Sequence, residues 1–140
     1  MVKTVTLSVR GQQSYADQEP DVIELVTEGT LEALEDGWKL CYEESELTGL
    51  AGVSTTFQVQ EKTVTLIRTG RLNSQMVFQE GVPHDSLYQM EFGALMLTVC
   101  ATRVEADLTE DGGVIDLQYN ISVEQSAAGI IEYHLDIKAK

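Results

Sequence analysis

The strongest constraint on this chain is a two-residue alternation of apolar and polar side chains that recurs along nearly its whole length. Successive side chains of a strand point to opposite faces, so each such run makes one apolar face and one wet face. The pattern is clearest near the C-terminus. Ile115, Leu117, Tyr119, Ile121 and Val123 alternate with Asp116, Gln118, Asn120 and Ser122, and Ile131, Tyr133, Leu135 and Ile137 alternate with Glu132, His134, Asp136 and Lys138. The same period predicts strands over residues 2–10, 21–34, 38–43, 53–60, 63–69, 72–79 and 94–106, with a short one at 87–90. Gly29, inside the second run, is expected to mark a bend or bulge.

Punctuation between the runs is mostly brief. Glu35-Asp36-Gly37, Glu61-Lys62, Gly70-Arg71 and Glu110-Asp111-Gly112-Gly113 read as tight turns. Residues 11–21, 47–52 and 81–86 read as loops. About nine or ten antiparallel strands follow. A single open sheet of that size would leave its apolar face bare, so it must close into a barrel or fold over as a sandwich. A sandwich needs long crossovers, and only residues 11–21 are a clear candidate. Consecutive hairpins favour a mostly meandering closed barrel of about eight to ten strands, built by one domain spanning residues 1–140.

Charge narrows the partners. With 23 acidic and 9 basic residues the formal net charge is −14. Such a surface repels phosphate backbones and anionic lipid heads, and no two basic residues are adjacent, so neither nucleic acid nor membrane is expected. The opening MVKTVTLSVRG lacks the apolar core of a signal peptide. No apolar run approaches the ~20 residues of a membrane helix. Neither Cys41 nor Cys100 has a CxxC partner. A cytoplasmic protein with reduced thiols is the expectation.

Arg68 is the conspicuous residue. It stands in phase with Val64 and Leu66, on the face a core would use. An arginine there needs a carboxylate, a ring of hydroxyls or an anionic ligand, unless it sits at the rim in water. Glu44, in phase with Trp38, Leu40 and Tyr42, is the natural partner. The aromatic set Trp38, Tyr42, Phe57, Phe78, Tyr119 and Tyr133 lies on expected inner faces, either filling the barrel or lining a pocket for an apolar molecule. Arg103 falls in phase with Leu95, Leu97 and Val99 and is expected to close the other end. Met96 and Cys100 fall on the second face of that strand, which calls for cover by another part of the chain or by a second subunit.

Other chemistry is sparse. His84 precedes Asp85 in an expected loop, and His134 alternates outward toward solvent. No metal-ligand spacing, serine elbow or phosphate loop is present, and the acidic turns lack a calcium-loop pattern. No catalytic set, metal or cofactor is expected.

Several runs carry a resemblance: VTLIRTG with Arg68 and Gly70, MVFQEG with Met76, Phe78 and Gly81, Tyr88 leading to Gly93 in FGALMLTVCAT, and GGVIDLQYNISV. Together they resemble the YwiB-like family of small bacterial β-barrels, most clearly over residues 55–137. Met90 and Glu91 stand where that family is expected to have Thr and Pro. The resemblance implies a calycin-like barrel, related in shape to lipocalins and fatty-acid-binding proteins, and no assigned activity. The leading expectation is a barrel that binds a small, partly apolar molecule with Arg68 as polar anchor. The alternative is a non-enzymatic interaction module, homodimeric through an outer sheet face.

Overall fold

Each alternating run forms a strand. The computed structural model describes residues 2–14, 19, 21–44, 52–90, 93–123 and 126–139. Ten strands follow one another: β1 (Val2–Ser14), β2 (Asp21–Leu34), β3 (Gly37–Glu43), β4 (Val53–Gln60), β5 (Val64–Gly70), β6 (Ser74–Phe78), β7 (Pro83–Met90), β8 (Gly93–Thr109), β9 (Gly112–Val123) and β10 (Ser126–Ala139). They form one antiparallel sheet in the order β6-β5-β4-β3-β2-β1-β10-β9-β8-β7. Apart from β6 and β7, which end the sheet, consecutive strands therefore lie side by side. The first and last strands pair over a long register, from Val5 opposite Ala139 to Ser14 opposite Ile130. The two sheet ends, β6 and β7, meet where Asn73 and Gln89 exchange backbone hydrogen bonds of 2.9 and 2.8 Å. Ser86 Oγ also donates to the Gln75 carbonyl across this seam.

The result is an all-strand, up-and-down, nearly closed barrel, as the alternation requires. Closure gives the apolar faces a common interior. Val5, Leu7, Leu40, Phe57, Leu66, Phe78, Val99, Ile115, Tyr119 and Leu135 are all fully buried there. Closure also leaves little unpaired edge. Among the described residues, no helix is long and apolar enough to cross a membrane.

One end of the barrel is stitched by tight turns. Leu34 pairs with Gly37, Gln60 donates to the Thr63 carbonyl at 2.8 Å, and Thr109 pairs with Gly112. Gly112 has φ +117°, and a side chain there would strike the Ile137 carbonyl oxygen. The expected 47–52 loop lies outside the described residues apart from Gly52.

Four sequence expectations are corrected. Gly29 is not a bulge, since the β1–β2 register runs unbroken through it. Its role is close approach: a Cβ there would collide with the Cys41 carbonyl oxygen of β3. β1 continues to Ser14, because Gly11 to Ser14 gain backbone partners from β10, and all but Ser14 also from β2. Most of the expected 81–86 loop is the start of β7, with Pro83 as its first residue, where the missing N–H does least harm. Finally, β8 carries a bulge between Ala101 and Arg103. One extra residue flips every later side chain to the other face. Arg103 therefore points outward, toward Glu105 and Asp116, and Val104 takes the inner position.

Candidate functional site

The inner faces of β3 to β6 set one polar row across an apolar barrel. Tyr42 pairs with Thr55, Thr55 with Arg68, and Arg68 with Ser74. Each follows its strand's inward phase. Glu44, two residues after Tyr42, is held on the same face by its N–H bond to the Val53 carbonyl, 2.9 Å.

Arg68 is buried, 8% exposed, as is Glu44 at 8%. Arg68 Nη2 donates to Tyr133 Oη at 3.1 Å, and Arg68 Nε lies 4.0 Å from Glu44 Oε2. That separation makes an ion pair and is too long for a hydrogen bond. Thr55 Oγ1 donates to Glu44 Oε2 at 2.5 Å, and the Tyr42 hydroxyl also hydrogen-bonds Glu44. Among the described residues Arg68 Nε–H is buried with no acceptor, and the Ser74 hydroxyl beside it also lacks a partner. Leaving such a donor unmet costs ~1–3 kcal/mol, more for a charged group.

Burial alone would lower the Arg68 pKa. The neighbouring Tyr133 hydroxyl, then Tyr119 and last the Glu44 carboxylate, outweigh it, so the net shift is upward and the guanidinium stays charged. Burial, then the Glu44 charge, pushes the Tyr42 phenol up, so it stays a neutral donor.

These groups face a cavity of about 200 Å³. Val9, Leu25 and Ile131 give it apolar walls, and Tyr88, Tyr133, Ile23 and Gln13 also line it. Gly11 matters here: a Cβ at that position would come within 3.1 Å of the Tyr133 ring. Its hydrogen lets the ring lie across β1 and carry its hydroxyl to Arg68.

Of the sequence-singled residues, Arg68, Glu44, Tyr42 and Tyr133 converge on this cavity. Phe57, Phe78 and Tyr119 pack in the barrel below it. Tyr42 and Phe57 rings are 6.4 Å apart, Phe78 and Tyr119 4.5 Å, and Tyr119 and Tyr133 6.5 Å. Trp38 lies at the far end, near Lys3, Leu31 and Leu108. The sequence reading did not single out Thr55, although it stands in phase with Phe57. Gly11, Leu25 and Ile131 carried no mark beyond their alternation.

His84 differs from expectation, and His134 meets it with two partners the sequence did not name. His84 sits on β7, paired with Val99, and its Nε2 is buried without a partner among the described residues. His134 does face outward, yet it is held between two carboxylates, with Nδ1 2.5 Å from Asp116 Oδ1 and Nε2 3.0 Å from Asp136 Oδ2. The Asp116 hydrogen bond, opposed by slight burial, raises its pKa above 6.5. A raised folded pKa gives stability that is fully present below the unfolded value and lost as pH rises through the folded one. The stability difference between the wild type and His134→Gln should therefore be larger at about pH 5.5 than at about pH 8.5. Equilibrium denaturation at both values checks this, and an equal difference would contradict it. Among the described residues, no cluster of His, Cys, Asp and Glu has the arrangement of a metal site.

Comparison with known proteins agrees with the fold. The crystal structure of the ywiB protein from Bacillus subtilis matches with a TM-score of 0.88, covering 99% of this chain and 93% of that one at 25% identity. The uncharacterized beta-barrel protein YwiB of Bacillus subtilis (strain 168) is 30% identical over 107 residues, 76% of this chain and 74% of the relative. Residues 7–137 match the family described as a domain of unknown function, DUF1934, and the chain belongs to that family.

Proposed function

We propose that this barrel binds a small, partly apolar molecule in the cavity beside Arg68. The observation that carries the reading is a charged donor, Arg68 Nε–H, buried without an acceptor among the described residues, at the wall of a cavity whose other side is the apolar surface of Val9, Leu25 and Ile131. Folding has placed a group there whose hydrogen bond an occupant would complete. The neighbouring groups are already engaged: Glu44 holds Thr55 and Tyr42, and Tyr133 holds Nη2. The site is thus preorganised, and an occupant need not rearrange it.

A second reading, a homodimer through an outer sheet face, has one specific support. Leu87 and Met96 pair across β7 and β8 on the outer face, 45% and 43% exposed. Native mass spectrometry of the purified protein separates the two. Retained mass on a monomer, absent from Arg68→Met/Glu44→Gln, supports the binding reading. Twice the chain mass supports the dimer. Bare monomer that also takes up no added small amide or acid counts against both.

A further inference from the structure

Resting on that binding reading, we infer that the occupant is uncharged: an amide, ketone or alcohol with a short apolar body, and not a carboxylic acid. Among the described residues lining the cavity there is one cation, Arg68, and one carboxylate, Glu44, with Nε and Oε2 4.0 Å apart. The guanidinium charge is therefore already balanced inside the barrel. A ligand carboxylate would bring the buried set to net −1 beside Glu44, within a chain of net charge −14. An uncompensated charge is far costlier to bury than a dipole.

What the site lacks is a hydrogen-bond acceptor, not a negative charge. Arg68 Nε–H has none among the described residues, and a carbonyl or hydroxyl oxygen supplies one without adding charge. The size of the space sets the rest. About 200 Å³ is below the ~300 Å³ at which drug-sized pockets begin. Val9, Leu25 and Ile131 offer an apolar wall to a chain or ring of a few carbons.

The experiment uses two probes of the same shape, hexanamide and hexanoate, titrated into the full chain at neutral pH with backbone-amide NMR as the readout. The wild type should bind hexanamide at least about tenfold more tightly, with shifts centred on Gly11, Leu25 and Ile131. Glu44→Gln keeps the shape and leaves Arg68 unbalanced, so hexanoate should gain at least about tenfold and the order should reverse. Hexanoate binding the wild type as tightly as hexanamide overturns the inference and leaves the binding reading standing. An amide preference that survives Glu44→Gln unchanged also overturns it, because Glu44 then does not set the selectivity. No binding of either probe at millimolar concentration overturns the binding reading itself. The wild-type comparison decides alone if Glu44→Gln does not fold.

Discussion

Arg68→Met alone should destabilise the protein by about 3–5 kcal/mol, because it leaves the Glu44 carboxylate inside the barrel without its cation. The methionine itself fits: it is unbranched, close in length to the arginine stem, and joins Leu66 on an apolar face. The loss comes from the partner left behind. Glu44 is 8% exposed, and its carboxylate is held in place by Thr55 and Tyr42. Adding Glu44→Gln should return at least half of the loss, since the amide oxygen still accepts from Thr55 and Tyr42 while no charge remains buried. Replacing a whole buried pair is often neutral or better, whereas breaking one is not. Urea denaturation of the wild type, the single variant and the double variant measures this. A single variant within ~0.5 kcal/mol of the wild type, the size of an ordinary surface change, would mean that Arg68 and Glu44 are solvated.

Phe78→Ala should cost a similar amount, about 3–5 kcal/mol, for a different reason. The ring is fully buried and packs 4.5 Å from Tyr119, centroid to centroid. Backbone pairing on both sides of the interior limits how far the walls can collapse into the void. For a chain of this length the loss corresponds to a fall in melting temperature of roughly 10–20 °C. Differential scanning calorimetry checks it. A loss below ~1 kcal/mol, less than the transfer free energy of a buried phenyl ring, would mean that the interior is loosely filled.

The two substitutions also mark what the residues disclosed in advance. The core needed only phase: Phe78 alternates with its neighbours, and a closed sheet leaves it one place to go. The Arg68–Glu44 pairing was legible for the same reason, because Glu44 continues the inward phase of β3 and Arg68 holds the inward phase of β5. The Arg68–Tyr133 contact was not. The two are 65 residues apart, and they meet only because β1 pairs with β10 and closes the barrel. Trp38 and Tyr42 share a phase, yet four residues of strand separate them by about 13 Å along the barrel. Phase alone therefore overstated how many aromatics could share one pocket. Arg103 shows the opposite failure. The bulge after Ala101 adds one residue within a run that still alternates plausibly, and composition does not record it. His84 was hidden by Pro83, which reads as a loop in sequence and is the first residue of a strand in the fold.

The ¹⁵N–¹H resonance of Arg68 Nε during titration with hexanamide bears most directly on the cavity, with its assignment fixed by its loss in Arg68→Met/Glu44→Gln. A donor that lacks an acceptor in the free protein should shift as the amide oxygen reaches it, and should saturate at the same midpoint as the backbone amides of Gly11 and Ile131. A resonance that stays fixed while those amides move would place the probe elsewhere, and Arg68 would then be a structural residue and no anchor.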